Sequence, residues 1–305
     1  MKIFIVGISG LLGLNASLQL SKWHQIAGCY SANPINIDGI EVFNVDITQD
    51  SPLDSILAST KPDLLINTVA LTNVDFCEDN PGLAHKLNVE SAKYIAELAN
   101  SLQIKLVHIS TDHVFDGENP WRSENDNTCP LNVYASTKIL AEKQVSEICP
   151  ESLIIRTNFF GWGPSNRQSF SDWIIQSIQN NKKLTMFTDV MFTPIITDEL
   201  VNTIMKLVNI NANGLFHVSG KDRISKYDFA LCLAEVFEYK TDNIIPISVD
   251  DFKFKATRPK DMSLNTNKAS KTIGNSLPSV IESLELLKKL EIEGRRLELK
   301  NARPK

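Results

Sequence analysis

Lys2-Ile-Phe-Ile-Val-Gly7-Ile-Ser-Gly10-Leu-Leu-Gly13 decides the reading of the fold. Residues 2–6 are a short apolar run that stops at a glycine, as a buried parallel strand does. A helical pattern follows over residues 12–20. Between the two, each glycine has its own job. Gly7 permits a tight exit from the strand. Gly10, lacking a Cβ, lets backbone N–H groups approach a pyrophosphate. Gly13 allows the helix to pack closely on the sheet. The helix N-terminus adds free N–H donors and the positive end of its dipole. Gly7, Gly10, Leu11, Leu12 and Gly13 are therefore candidate contacts of a dinucleotide, although the spacing is Gly-x-x-Gly-x-x-Gly rather than Gly-x-Gly-x-x-Gly.

Outward from this loop, strand patterns at residues 25–30, 41–45, 63–68, 105–109 and 153–156 alternate with helical ones at 53–60, 84–101 and 132–148. Such alternation predicts βαβ units and an α/β, Rossmann-type doubly wound parallel sheet. Beyond residue 158 the pattern loosens to a helix at 170–180, a strand at 214–218, a helix at 226–237 and an irregular stretch at 244–263. The expected organisation is a dinucleotide-binding domain over 1–158, rejoined by about 187–218, and a smaller substrate lobe over most of 159–305. Residues 281–300 form an amphipathic, charged helical pattern, expected as a solvated lid or interface element. The helices at 84–101 and 132–148 could pair across a two-fold axis in a homodimer.

Strand ends are where a doubly wound sheet presents its ligands. Cys29-Tyr30-Ser31 ends the second strand with neither an acid for a ribose 2′-OH nor an arginine. Ser31 could donate to a 2′-phosphate, which favours NADPH over NADH, and Tyr30 and Ser31 are the candidate contacts there. Asp46-Ile47 follows the third strand, where an adenine could be gripped. Val69-Ala70-Leu71 follows the fourth, beside the nicotinamide half.

Composition narrows the classes. The chain has 305 residues, 43% hydrophobic and 22% charged, which excludes disordered and fibrous proteins. A formal charge of −5 argues against a nucleic-acid partner, and an anionic substrate would need a local basic pocket. Five scattered cysteines without a Cys-x-x-Cys read as reduced thiols, neither a disulfide frame nor a metal site. With no signal-peptide pattern and no long apolar run, the expectation is a cytoplasmic protein without a membrane partner.

The candidate chemistry lies in two segments. Ile109-Ser-Thr-Asp-His-Val-Phe-Asp-Gly117 places hydroxyls after a buried strand, where one can hydrogen-bond a substrate carbonyl. Val133-Tyr-Ala-Ser-Thr-Lys-Ile139 places Tyr134 and Lys138 one helical turn apart on one face. An ammonium near the phenol is expected to pull its pKa down from about 10, making a proton donor or acceptor for a carbonyl carbon. His108 reads as a core strand residue. Asp75, Glu78 and Asp79 read as a solvated helix entry rather than metal ligands.

Taken together, Gly7 to Gly13, Ser110-Thr-Asp112 and Tyr134-x-x-x-Lys138 resemble the extended short-chain dehydrogenase/reductases. Ser110 to Gly117, Pro130-Leu-Asn-Val-Tyr-Ala-Ser-Thr-Lys138, Phe192-Thr-Pro194 and Arg258-Pro-Lys-Asp-Met-Ser-Leu-Asn-Thr266 narrow the resemblance to the dTDP-4-dehydrorhamnose reductase family. It runs from residue 1 to about 270. The resemblance implies a Rossmann lobe, a sugar-nucleotide lobe, and hydride transfer from NAD(P)H to C4 of a nucleotide-linked 4-keto-6-deoxysugar. By it, Tyr134 is the general acid, Lys138 holds the nicotinamide ribose and tunes Tyr134, and Thr111 holds the keto oxygen. Asp112, His113 and Phe159 would face the sugar, and Arg258 the diphosphate, which its guanidinium matches bidentately.

The chain departs from the family at His113, where tyrosine is usual, and at Phe159, where tryptophan is frequent. Both departures put the sugar in question and leave the reaction type alone. His113 also reads as a plain loop histidine. Two other functions compete. One is a non-catalytic, NADP-binding regulatory subunit of the methionine adenosyltransferase beta type. The other is a sugar-nucleotide epimerase or dehydratase, for which a glutamate directly after Asp112 would speak, and His113 stands there.

Overall fold

A computed structural model describes residues 1–48, 52–165 and 167–302. The first half runs β1 (Lys2–Val6), α1 (Leu11–Leu20), β2 (Gln25–Tyr30), β3 (Glu41–Asn44), α2 (Leu53–Thr60) and β4 (Leu64–Asn67). It continues with α3 (Val74–Asp79), α4 (Pro81–His85), α5 (Ser91–Ser101), β5 (Lys105–Ile109), α6 (Val133–Ile148) and β6 (Leu153–Arg156). The second half contributes β7 (Phe159–Phe160), α7 (Phe170–Gln179), β8 (Leu184–Phe187), β9 (Met191–Phe192), β10 (Ile195–Ile196) and α8 (Thr197–Asn209). After these come β11 (Gly214–His217), β12 (Ile224–Ser225), α9 (Lys226–Val236), β13 (Ile244–Ile247), α10 (Asn267–Ile273), α11 (Val280–Ile292) and α12 (Arg295–Asn301).

The main sheet has seven strands in the order β11-β6-β5-β4-β1-β2-β3, and every pairing is parallel. Its central strands are buried on both faces. Along β1, Ile3 and Ile5 join one core, while Phe4 and Val6 join another with α5 and α6. That period-two division is the physical content of the continuous apolar run. The order reverses between β1 and β4, so their carboxyl ends diverge into a crevice, the usual ligand position of this sheet type.

Residues 197–217 return to the sheet: α8 packs on α1 and β11 pairs with β6. The remaining C-terminal elements make a smaller lobe of two-stranded pieces, β8 with β13 and β9 with β12, around α7 and α9. The core on the Ile3 face runs without a break into that lobe, through Phe192, Phe229 and Leu233.

Three expectations need correction. The helix expected at 84–101 is α4 and α5 joined by a π turn at Lys86–Glu90. This wide turn carries the buried Asn88, which holds the Leu71 backbone and the Thr137 hydroxyl. The stretch at 244–263 contains β13, paired with β8. The tail is two helices broken at Gly294 (φ +89°), not a solvated lid. Val280, Leu284, Leu287, Leu290 and Leu299 are buried, and Arg295 forms a buried ion pair with Asp198 at 3.2 Å.

Among the described residues no helix is long and apolar enough to cross a membrane, and no group of side chains could hold a metal ion. The five cysteines are unpaired.

Candidate active site

The glycine loop has the shape of a phosphate cradle. Gly7 sits at φ +86°, and a Cβ there would stand 2.9 Å from both Thr68 Oγ1 and Val69 Cγ2. Thr68 pins this turn by donating to the Val6 carbonyl at 2.9 Å. At Gly13 a Cβ would lie 2.4 Å from the Gly7 carbonyl oxygen, so helix and strand exit touch backbone to backbone. At Gly10 a Cβ would meet only the Gly7 oxygen, at 3.2 Å, and otherwise fill open space. Gly10 is the N-cap of α1 and no side chain caps that helix, which leaves its first N–H groups to an anion. These features fit a dinucleotide pyrophosphate. Tyr30 ends β2 and Ser31 follows it exposed; Asp46 accepts from the Thr48 N–H at 3.0 Å, and Ile47 is buried beside it. Val69, Ala70 and Leu71 leave β4 along the crevice, half-buried.

Thr111, Tyr134 and Lys138 converge where β5 ends against α6. Asn132 caps α6 by accepting from the Ala135 N–H at 2.9 Å, and its amide donates to the Thr257 carbonyl at 2.9 Å, tying the helix start to the smaller lobe. Lys138 is buried and donates to the Ile109 carbonyl at 2.7 Å. Burial pushes its ammonium down to about 8, against the opposing pull of Glu142.

The expected depression of Tyr134 is not what the structure shows. Burial pushes its phenol up to about 12, and the Thr111 hydroxyl only moderates this. Desolvation outweighs any nearby cation because the phenolate would sit in a dry site while the ammonium is committed to Ile109. Tyr134 therefore keeps its proton at neutral pH, the state of an acid rather than a base.

Behind these groups lies a network that sequence reasoning missed. Arg156 and Glu142 form a buried ion pair at 2.7 Å, and Ser110 donates a short hydrogen bond to the same carboxylate. Glu142 continues the Tyr134, Lys138 face by one more turn, and that i, i+4, i+8 run was the available signal.

A cavity of about 310 Å³ has walls that include His113, Phe170, Lys226, Phe254 and Arg258. His113 presents its ring edge-on to Tyr134 with centroids 5.7 Å apart, and burial lowers its pKa. Asp112 accepts from Thr111 at 3.2 Å and from Asn158. Arg258 lies over the Phe254 ring and pairs with Asp75 at 3.0 Å. Asp75 also accepts from the Ala256 N–H, Glu78 from the Val133 N–H, and Asp79 pairs with Lys255. As expected of a solvated helix entry, the three acids stand on α3 with Glu78 and Asp79 exposed, and they also tie α3 to α6 and to residues 255–258. Phe159 is half-buried in β7 against the main core and is not part of this cavity wall. His108 is buried in β5 against Asn67. Lys226, also missed, left only a faint trace in the sequence: a cation at the start of a helix, where an acid is favoured.

The chain matches the family described as RmlD substrate binding domain over residues 1–291. A probable low-salt glycan biosynthesis reductase of Haloferax volcanii is 29% identical over 292 residues, 94% of this chain and 97% of its own length. The dTDP-4-dehydrorhamnose reductase of Escherichia coli is 30% identical over 248 residues, 76% of this chain and 81% of its own. A solved dTDP-4-dehydrorhamnose reductase from Bacillus anthracis, in complex with NADP, superposes with a TM-score of 0.84 at 27% identity, covering 94% of this chain and 98% of that one. The methionine adenosyltransferase 2 subunit beta of Pongo abelii is similar too, 27% identical over 279 residues, 88% of this chain and 81% of its own.

Proposed function

The chain belongs to the RmlD substrate binding domain family, and on that footing we propose that it uses NADPH to reduce the C4 keto group of a nucleotide-linked 4-keto-6-deoxysugar. The observation that carries the reading is the protonated, buried Tyr134 beside Thr111, joined through the His113 ring to a cavity with a cationic lining. When bound, the reduced nicotinamide supplies a hydride to the carbonyl carbon. Gly7, Gly10, Leu11, Leu12 and Gly13 hold the pyrophosphate through backbone N–H groups. Ser31 and Tyr30 lie towards the 2′-phosphate, Asp46 and Ile47 towards the adenine, and Val69 to Leu71 along the nicotinamide half.

Thr111 turns its hydroxyl from Asp112 to the keto oxygen and orients it. Tyr134 gives its phenolic proton to the same oxygen as negative charge develops there. Its raised pKa keeps the proton available, and the growing alkoxide is the stronger base. Lys138 stands one turn away and stabilises the resulting phenolate. It exchanges its Ile109 contact for the nicotinamide ribose. Asp112 and His113 position the sugar ring, and Arg258 takes the diphosphate. Five unpaired thiols support a cytoplasmic site of action.

An intact Thr111, Tyr134 and Lys138 set favours chemistry over a purely regulatory role. Purified protein should oxidise NADPH when given a dTDP-4-keto-6-deoxysugar. Tyr134→Phe should lower kcat about 10²–10⁴-fold while NADPH affinity stays unchanged. A wild type that binds NADPH, turns over no 4-keto sugar nucleotide and copurifies with a second enzyme would sink this reading in favour of the regulatory one.

A further inference from the structure

Lys226 is the first residue of α9, where the positive end of the helix dipole disfavours a cation. Its ammonium lies 3.2 Å from the Phe192 ring centroid and 4.8 Å from that of Phe170. It shares the cavity wall with His113 and Arg258. No hydrogen bond or ion pair among the described residues reaches its ammonium, while its backbone N–H donates to the Val190 carbonyl at 3.0 Å. The acid whose field it feels is Asp112, and that carboxylate is already taken by Thr111 and Asn158.

Cation–π contacts return about 0.5–2 kcal/mol. Stripping an ammonium of water costs several kcal/mol. Lys226 is half-buried, so its ammonium is drawn only partly out of water, and the ring faces offset part of that cost. Both Lys226 and Arg258 act electrostatically on His113, so the two cations flank the residue whose ring touches Tyr134. An anion seated between them would hold the attached sugar on the His113 side of the cavity, the side on which that ring meets Tyr134.

We propose that Lys226 is a specificity-determining residue that, together with Arg258, binds the diphosphate of the sugar nucleotide and so registers the sugar against Tyr134. The proposal rests on the sugar-nucleotide reading above. The charged groups around the ammonium are Asp112, His113 and Arg258, with Asp228 of its own helix tied to Ser225. Burial brings Lys226 down to about 7. The unliganded enzyme therefore loses this charge as pH rises through neutrality, and diphosphate binding weakens with it.

The test is calorimetric binding of dTDP, UDP and dTMP to wild type, Lys226→Gln and Lys226→Arg, with NADPH binding as the check on folding. Lys226→Gln should weaken nucleoside diphosphate binding about 10–100-fold, the size of a charge-assisted hydrogen bond, and dTMP binding less. Wild-type affinity for the diphosphates should fall from about pH 6 to about pH 8, and Lys226→Arg should keep affinity without that fall. Equal diphosphate affinity in wild type and Lys226→Gln overturns the proposal. So does a wild-type pH profile that matches the Lys226→Arg profile, in which the phosphate's own ionisation is the same. If wild type binds NADPH but neither diphosphate, the sugar-nucleotide reading itself fails and takes this one with it.

Discussion

The crevice at the carboxyl ends of β1 and β4 and the cavity lined by His113, Lys226 and Arg258 would, on the function proposed above, meet anions by opposite means. The crevice uses backbone: three glycines, an uncapped helix and no buried charged side chain in the loop. The cavity uses side chains, Lys226 and Arg258 among aromatic rings, and accepts a cost in hydration for each. A backbone cradle is inexpensive to keep empty, because a helix N-terminus can be hydrated. A half-buried ammonium against aromatic rings keeps less of its hydration, so the second site is the costlier of the two to hold open.

Substitutions can break or sharpen that contrast. The largest effect is expected behind the site. Glu142→Ala leaves Arg156 buried without its partner and should cost about 3–5 kcal/mol in urea unfolding. An unchanged midpoint would mean the buried pair is dispensable. In the glycine loop, Gly13→Ala should destabilise by about 1–3 kcal/mol, because its Cβ meets backbone. Gly10→Ala should leave the melting temperature alone and weaken NADPH binding. If both variants behave alike, the division of labour between the two glycines is wrong.

Acid should act on the whole molecule next. His217 is held down to about 3 by burial and by Arg156, and burial lowers His108 and His113 as well. A histidine whose folded pKa is depressed binds its proton more readily when unfolded. Stability is therefore full above about pH 6.5 and declines as pH falls towards 3. His217 alone should account for about 2 kcal/mol near pH 5. Urea titrations of wild type and His217→Gln would show it, and an identical acid slope in both would remove His217 from the account. The smallest effect belongs to Asp75→Asn. Asp75 is partly exposed, so stability should change by less than about 1 kcal/mol. Freed from its acid, Arg258 should bind dTDP a few-fold more tightly by calorimetry.

How much was legible in the sequence follows the same division. The crevice was readable because a backbone cradle needs glycine at fixed spacing between a strand and a helix, all within residues 7–13. Tyr134 and Lys138 were readable because one helix sets their spacing. The sign of the Tyr134 shift was not, since it depends on how dry the surroundings are, and those come from elements distant in the chain. Lys226 escaped for the same reason. Residues 113, 170, 226 and 258 meet only through tertiary packing, so no spacing rule links them. The tail misled because its charged face is conspicuous, while the burial of Leu287 and Leu299 depends on where Gly294 turns the chain.

That turn has a consequence for how the protein is made. Beyond Gly294 the chain runs back, Arg295 meets Asp198, and the Ala302 carbonyl accepts from the Asn36 N–H in the loop after β2. The sheet receives its seventh strand only at residues 214–217. During synthesis the emerging Rossmann half cannot settle as a finished unit, although N-terminal domains often fold first. Its edge strand and its closing clasp are both encoded far downstream. A nascent chain stalled before residue 214 would expose the edge of β6, an open template for pairing with its neighbours.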